Sequence, residues 1–464
     1  MAMFSKLAIL LAVPALVGAQ QKLDATGARP VSLTEALRLA NENNISNITA
    51  ANTIRSTGNQ VRAAQAAFLP SLSASAGQSI RFGGAGSRVD GGQVVEQGSG
   101  NAPWSYNTGL NASMTLFDGG KMFSDIRARR ADLNADVAAQ VNTQFNVSQQ
   151  VKTQYNAALA ANEQLAAAQA QLGVAQQQLQ MTVARVNAGA ANIADSLNSV
   201  VQVGNARLAI LTAQQSLRTA NASLTRLVGT SYIITANPAD TAAYTMAPID
   251  SASIMALALA GPMIRQRQAE ITAANASMTS AKGAYFPSLS ASASIGGNGS
   301  NALYGLNNPE TCENRPRVSG GDTVMVSVCS RPYSYSRNFG LSISFPIFNR
   351  FIRENAVQTA QIARENAEAN LKDARLQAQQ TIITQLGLLH NAAEQVRVQE
   401  NSVRANEEAL RVNQQRYNVG AGTFLDVLTS QSSLVSARQG LIQARLAYRN
   451  ARAQIEAAIG RDLP

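Results

Sequence analysis

The feature that most constrains this chain is an internal repeat. Residues Arg185–Gly229 align without a gap with Arg416–Gly460, at a constant offset of 231 positions. Upstream, Phe68–Ala76 matches Tyr285–Ala293 at an offset of 217, so the second copy carries 14 extra residues before the copies regain their register. A repeat of this length predicts one supersecondary unit that is built twice.

The N-terminus predicts export. Lys6 precedes an apolar run from Leu7 to Val17, and small residues lead to Ala19. This order is typical of a secretory signal that is cleaved after Ala19. The alternative is a membrane anchor, but the run is short for a bilayer, which needs about 20 apolar residues.

These two features divide the chain into four segments. We expect a signal peptide at 1–19, a first repeat at 20–235, a linker at 236–249 and a second repeat at 250–464. Each repeat is expected to contain a helix, two strands and a long helical hairpin. The extra residues of the second repeat are expected to lengthen the loop between its strands.

One segment of each repeat alternates between apolar and small polar residues. The alternation covers Trp104–Leu116 in the first repeat and Tyr333–Ile347 in the second, and weaker alternation begins at Leu72 and Leu289. A period of two predicts strands. A half-buried soluble sheet has the same pattern. However, about 10 residues also cross a bilayer as a tilted strand, with lipid on one face and a wet lumen on the other, and terminal Tyr and Trp suit the membrane interface.

Two tracts without proline predict very long helices, Lys121–Asn187 and Arg353–Asn418. Apolar residues recur every seven positions in both tracts: Val151, Ala158, Leu165, Leu172, Leu179 and Val186, then Ile382, Leu389, Val396, Val403, Leu410 and Tyr417. Sustained heptads predict coiled-coil packing. Each long helix is expected to turn back into a second helix at a tip that contains glycine, and these glycines are Gly189, Gly420 and Gly422.

Composition agrees with helices that pack through small side chains and argues against an enzyme. Only 5% of residues are aromatic and 14% are charged. The net charge of +10 is spread along the helices, so we expect no nucleic-acid site. The single histidine, His390, has no nucleophile near it in the sequence, and we expect no cofactor. Cys312 and Cys329 lie in one loop-like stretch of an exported chain, where a disulfide is expected and two free thiols are the alternative.

Four membrane strands cannot form a closed barrel by themselves. Unpaired backbone amides in lipid cost several kcal/mol each, and the smallest single-chain barrels have about eight strands. The chain must therefore oligomerise. Three copies would supply twelve strands, although closure alone does not distinguish a trimer from a dimer or a tetramer.

The ordered motifs resemble those of the TolC family of outer-membrane efflux and secretion channels. They comprise the tandem halves, the paired Pro-Ser-Leu-Ser strand starts, the Leu-Phe-Asp-Gly-Gly motif at 116–120, and the tips at 185–189 and 416–420, followed by Asp195 and Asp426. The resemblance covers nearly the whole mature chain.

This resemblance implies a mixed α and β membrane protein. The tandem-repeat protomer would form a homotrimer with a shared twelve-stranded outer-membrane β-barrel, continuous with a long α-helical periplasmic tunnel. The implied function is an exit duct for small molecules or type I secreted proteins. The implied partners are a periplasmic adaptor, an inner-membrane transporter of the RND, ABC or MFS type, and outer-membrane lipid. The alternative is a coiled-coil envelope protein or adhesin without a pore.

The resemblance also implies a gate at the hairpin tips. By motif, Asp426 would form an acidic ring that selects cations, and like charges would raise its pKa. Tyr417 and Asp195 would link the two hairpins. This chain departs from the family pattern at Thr429, where a second acidic residue is usual, and at Gly422, where a linking arginine is usual. The alternative role for both aspartates is helix capping.

Residues of both tips are implied to contact the adaptor. They are Arg185, Ala188, Gly189, Arg416, Val419, Gly420 and Ala421. Ala188 departs from the usual valine. The alternative for each of these residues is a purely structural turn.

Overall fold

The computed structural model describes residues 28–80, 87–90, 93–96, 104–240, 250–300, 311–319, 322–330 and 333–463. The first half contains β1 (Arg29–Val31), α1 (Leu33–Asn43), α2 (Ile45–Ala66), β2 (Ser71–Ile80), β3 (Ser87–Asp90), β4 (Gln93–Glu96), β5 (Trp104–Phe117), α3 (Lys121–Asn187), α4 (Ile193–Val228) and β6 (Ile234–Ala236). The second half contains α5 (Ser251–Ala258), α6 (Pro262–Lys282), β7 (Ser288–Ser300), β8 (Thr311–Ser319), β9 (Asp322–Ser330), β10 (Tyr333–Ser344), α7 (Ile352–Asn418) and α8 (Phe424–Ile459).

The structure confirms the long helices that the tracts without proline predict. α3 and α7 each have 67 residues, and α4 and α8 each have 36. Among the described residues, no helix has both the length and the apolarity that a membrane crossing requires. The predicted signal peptide at 1–19 and most of the predicted linker lie outside the described residues.

The expected single helix at the start of each half is wrong, because each is broken in two. Asn44 is extended and ends α1, its side chain accepts from the N–H of Ser46 at 2.8 Å, and its amide donates to the carbonyl of Leu227 at 2.7 Å. In the second half, extended Gly261 is followed by Pro262 at the first position of α6. Proline cannot continue a preceding helix but is well suited to starting one.

The four predicted strands form one antiparallel sheet in the order β10-β7-β5-β2. Serines pair across it: the hydroxyls of Ser71 and Ser113 lie 2.7 Å apart, and those of Ser290 and Ser342 lie 2.9 Å apart. These cross-strand pairs place the small polar residues on a common face, as the alternation predicts.

Two further hairpins, β3–β4 and β8–β9, were not predicted from the sequence. The register of β8 and β9 places Cys312 opposite Cys329. Their side chains lie outside the described part of the chain, so the disulfide stays a prediction.

The chain divides into two compact units, and each takes segments from both halves. Unit 1 consists of Met1–Ile48, Thr143–Ala258 and Gln380–Pro464, and unit 2 of Thr49–Asn142 and Leu259–Gln379. Unit 2 contains the four-stranded sheet, and unit 1 contains both hairpin tips.

The core of unit 1 is formed by the predicted heptad positions. Val151 and Ala158 of α3 are fully buried with Leu224 of α4. The short parallel pair β1–β6 closes this cluster with apolar side chains of its own. A second cluster joins Ile382 of α7 to Ile455 of α8, and both residues are fully buried.

Two left-handed residues join the last strand of each half to its long helix. In the first half they are Gly119 and Gly120, with φ of 71° and 79°, and in the second they are Arg350 and Phe351, with φ of 57° and 60°. The two pairs are 231 positions apart, so they are equivalent in the repeat. This conformation costs glycine little but costs other residues roughly 1–2 kcal/mol each.

Gly119 and Gly120 allow the steric and conformational costs of a side chain to be separated. A Cβ at Gly119 would lie 2.2 Å from the Cβ of Phe286, whereas one at Gly120 would have nothing within 4 Å. We expect Gly120→Ala to destabilise the fold by about 1–2 kcal/mol, and Gly119→Ala to destabilise it further because Phe286 must move. Thermal unfolding of the two purified variants tests this, and equal losses would contradict the packing argument.

Candidate functional site: the tips of the two helical hairpins

The first hairpin turns at a left-handed glycine. Gly189 has a φ of 72°. Its N–H donates to the carbonyl of Val186 at 3.0 Å, and the N–H of Ala190 donates to the carbonyl of Arg185 at 2.8 Å. This pair of bonds is a Schellman motif, which satisfies the last carbonyls of α3. Arg185 also places a positive charge in the last turn of α3, where the helix dipole favours it.

The second hairpin repeats this geometry. Gly420 has a φ of 76°, its N–H donates to the carbonyl of Tyr417 at 3.1 Å, and the N–H of Ala421 donates to that of Arg416 at 2.8 Å. Gly422 also lies in this turn, but it is not left-handed. A Cβ at position 422 would lie 3.1 Å from the Cβ of Arg416, so the turn requires a residue without a side chain there.

Tyr417 links the two tips. Its hydroxyl donates to Oδ2 of Asp195 at 3.1 Å, as the pairing of these residues by motif implied. Burial, followed by the negative charge of Asp195, raises the pKa of the Tyr417 hydroxyl, so it remains a donor at neutral pH. The ring of Tyr417 also packs against that of Phe424, with centroids 5.6 Å apart.

Arg185 makes a second link between the tips, which sequence reasoning missed. Its Nη1 donates to the carbonyl of Tyr417 at 2.7 Å, and its guanidinium lies 4.5 Å from the centre of the Tyr417 ring. A cation over an aromatic face is attracted by the ring quadrupole. Of the seven residues predicted to contact an adaptor, Arg185 is therefore already engaged within this chain.

Asp426 takes part in a capping box. The N–H of Thr423 donates to Oδ2 of Asp426 at 3.0 Å, and the N–H of Asp426 donates to the Thr423 hydroxyl at 3.2 Å. The backbone hydrogen bond from Thr423, and then its hydroxyl, lower the pKa of the exposed Asp426 carboxyl. These hydrogen bonds within one chain lower the pKa of Asp426, whereas a ring of like charges would raise it.

The capping residues themselves are Thr423 and Asn192, and neither was predicted. The Asn192 side chain accepts from the N–H of Ala194 at 3.0 Å. The signal for Thr423 was present, because Thr-x-x-Asp before an apolar run is a capping-box pattern. Asp195 lies in the first turn of α4, and its carboxylate accepts from Tyr417 instead of capping the helix.

The remaining predicted tip residues are solvent-exposed. They are Ala188, Gly189, Arg416, Val419, Gly420, Ala421 and Thr429. Val419 is the most exposed of the large side chains here, at 79%. Arg416 bonds the Ala421 carbonyl at 3.3 Å and stays open to solvent. We call the exposed set without Thr429 the tip surface.

The site lacks the features of a catalytic or metal centre within the described residues. No group of three or more His, Cys, Asp or Glu side chains in that part of the chain could hold a metal ion. His390 lies exposed on α7. The tips instead combine rigid turns, one exposed carboxylate and a small, mostly apolar surface.

Thr423 offers a test of the capping box. Thr423→Ala removes the acceptor for the Asp426 N–H and should weaken the start of α8 by about 1 kcal/mol. Amides of residues 424–428 should then exchange with deuterium severalfold faster. Thr429→Ala is the control, because its hydroxyl bonds only the Leu425 carbonyl of its own helix, at 2.9 Å. Unchanged exchange in Thr423→Ala would contradict the box.

The same box predicts a pH dependence. Because the folded pKa of Asp426 is lowered, its contribution is complete above the ordinary aspartate pKa and is lost as the pH falls through the lowered value. In Thr423→Ala the folded pKa should be lowered less, so the contribution of Asp426 to stability should be smaller and its loss should be complete at a higher pH.

Comparison with known proteins identifies similar chains. A family model described as outer membrane efflux protein matches residues 36–230 and 255–461. The solvent efflux pump outer membrane protein SrpC of Pseudomonas putida is 28% identical over 204 residues, which are 44% of this chain and only 38% of that relative. The cation efflux system protein CusC of Escherichia coli is 23% identical over 377 residues, covering 78% of this chain and 77% of CusC.

Solved structures share the fold over nearly the whole chain. A crystal structure of CusC superimposes with a TM-score of 0.71 at 21% identity, covering 94% of both chains. The open state of the MtrE outer membrane channel of Neisseria gonorrhoeae superimposes with a TM-score of 0.69 at 23% identity, covering 92% of this chain and 89% of MtrE. The predicted tandem architecture of strands and helical hairpins is thereby confirmed.

Proposed function

Since the chain belongs to the outer membrane efflux protein family, we propose that it is the outer-membrane exit duct of an export machine. The members of this family are outer-membrane efflux channels and not enzymes. The observation that supports this proposal is the pair of matched hairpins, whose tips are joined by hydrogen bonds and carry the exposed tip surface. The proposed machine also contains a periplasmic adaptor and an inner-membrane transporter.

The proposed duct is an oligomer, because the protomer leaves two kinds of surface unpaired, and the family resemblance implies that it has three copies. The sheet ends in β10 on one side and β2 on the other, and a sheet in lipid requires partners at both edges. On α4, Ile193 and Leu211 are 66% and 61% exposed. Their repeat equivalents on α8, Phe424 and Ile442, are 5% and 7% exposed. A second copy that covers α4 would restore this equivalence.

The proposed substrates are small molecules. The names of the relatives concern solvents, cations and, for OpmQ of Pseudomonas aeruginosa, the export of pyoverdine. Export of small molecules is therefore the better-supported choice over type I protein secretion. In such a machine the transporter would select the substrate, and the duct would pass it on.

The proposed gate contains Asp426, Thr429, Asp195 and Tyr417. Exposed Asp426 from each copy would form an acidic ring around the pore, and Thr429 would leave that ring without a second acidic layer. The links from Tyr417 to Asp195 and from Arg185 to Tyr417 would hold the tips closed. Opening would require these contacts to break as the tips relax outward.

Charge at position 426 tests the gate. Asp426→Ala should lower cation selectivity, read as a reversal potential nearer zero across a salt gradient in planar bilayers, because the proposed ring loses its field. Asp426→Asn is the matched variant, since it removes the charge but keeps an oxygen for the Thr423 N–H. Thr429→Asp should increase selectivity. Unchanged selectivity in both neutral variants would refute the ring.

The tip surface is the proposed adaptor contact. It consists of Ala188, Gly189, Arg416, Val419, Gly420 and Ala421. Arg185 would hold this surface in place through its hydrogen bond to the Tyr417 carbonyl. Small residues allow another helical tip to approach closely, and exposed Val419 supplies an apolar contact.

Reversing one charge tests this contact. Arg416→Glu should abolish export while the amount of folded oligomer in the outer membrane stays the same. Export is read as restored drug resistance in a deletion strain. Arg411→Glu is the control, because Arg411 is also exposed on α7 and pairs only with Glu408 of the same helix. Normal export by Arg416→Glu would count against the contact.

A further inference from the structure

The turn between β10 and α7 differs from the equivalent turn between β5 and α3 in two ways: its backbone conformation is more costly for the residues present, and its charge is different. At an offset of 231, Asn349-Arg350-Phe351 replaces Asp118-Gly119-Gly120. Arg350 and Phe351 keep the left-handed φ that glycine adopts freely in the first half. Two strained residues in succession motivate a functional hypothesis for their side chains, because such strain clusters at functional sites.

The left-handed residue Phe351 lies on the protein surface. Phe351 is 68% exposed and packs edge-on against Phe348, with ring centroids 5.7 Å apart. Phe348 is itself 70% exposed, and the neighbouring Ile347 and Ile352 are 87% and 60% exposed. We call residues 347–352 the aromatic turn. No other described residue buries these apolar side chains, so packing within the chain does not compensate for the cost of the left-handed conformation.

The aromatic turn continues the apolar face of β10. Phe339, Leu341 and Ile343 alternate along this strand and are 61–76% exposed. Phe345 and Ile347 extend the same parity beyond the strand end. In the proposed channel this face meets lipid, so the aromatic turn lies where the lipid-facing strand ends.

The charge of the turn differs from that of its equivalent. The first half has the carboxylate of Asp118, whose Oδ2 accepts from the N–H of Met122 at 2.9 Å. The second half has neutral Asn349 and the exposed cation Arg350, which makes no ion pair with any described residue. Over residues 347–352 the net charge is +1, from Arg350, whereas Asp118 and Lys121 cancel in the equivalent residues 116–121, so the turn is more positive by one charge. An anion at the boundary of an apolar phase is the complementary partner.

We propose that the aromatic turn binds a phospholipid of the bilayer leaflet at this end of the strands. Arg350 pairs with the headgroup phosphate, and Phe348 and Phe351 lie at the level between headgroup and acyl chain. Aromatic rings favour that level, and arginine pairs well with phosphate. The inference rests on the proposed function only in treating β10 as a membrane strand.

Tryptophan scanning measures the depth of the turn. The chain has a single tryptophan, Trp104, and Trp104→Phe provides a silent background. Phe351→Trp reports the turn, Leu341→Trp the middle of β10, and Val398→Trp an exposed site on α7. The oligomer is placed in phosphatidylethanolamine–phosphatidylglycerol vesicles whose acyl chains carry bromine either near the headgroup or near the chain end.

The expected result is that Phe351→Trp is quenched at least twofold more by bromine near the headgroup, while Val398→Trp is not quenched. If Leu341→Trp is quenched and Phe351→Trp is not, lipid binding by the aromatic turn is overturned and the channel proposal stands. A blue-shifted but unquenched Phe351→Trp would mean that a second copy covers the turn. If neither reporter is quenched, the membrane strand itself fails.

A second variant tests the phosphate contact without altering the fold. Arg350→Gln removes the charge and keeps an unbranched polar side chain, and Arg375→Gln is the matched control on exposed α7 surface. Native mass spectrometry of the detergent-purified oligomer, after addition of phosphatidylglycerol, counts retained lipid. Retention should fall at least twofold in Arg350→Gln only. Equal retention in both variants would overturn the Arg350–phosphate contact.

Discussion

The open edges of a four-stranded sheet are the constraint on which the rest of this molecule depends. A strand edge carries a row of amide groups that lipid cannot satisfy, so β2 and β10 require partners from outside the chain. The helical part shows the same incompleteness, because α4 exposes apolar positions whose equivalents on α8 are buried. The protomer packs core clusters of its own, but its architecture is completed by neighbouring copies.

The periodic elements could be predicted from sequence because their signals are local and long. Heptads over α3 and α7 and alternation over β5 and β10 predicted these elements nearly to the residue. The breaks in the first helices could not be predicted so readily. The amide of Asn44 bonds the carbonyl of Leu227, 183 residues away, and β1 pairs with β6 across a similar separation. Such contacts exist only once the chain has folded.

The tips show the same division between local and distant causes. Their glycine turns and the Tyr417–Asp195 pair followed from motifs, whereas the bond from Arg185 to the Tyr417 backbone did not. Gly422 is part of the reason. With no side chain at that position, the second tip has no linking arginine of its own, and Arg185 from the first hairpin supplies a cation beside Tyr417 instead. A resemblance can locate the tips, but only the fold shows which of their residues are bonded to each other.

The equal lengths of the paired helices have a consequence for how such a chain can change. An α-helix advances about 100° per residue, so a single insertion in α3 would swing Arg185 to another side of its helix and away from Tyr417. Both long helices have 67 residues, and the 14 extra residues of the second half lie between strands. The two long helices must therefore keep matching lengths. An insertion in a strand loop leaves the tips in register, whereas an insertion in one long helix would require an equal insertion in the other to keep Arg185 facing Tyr417.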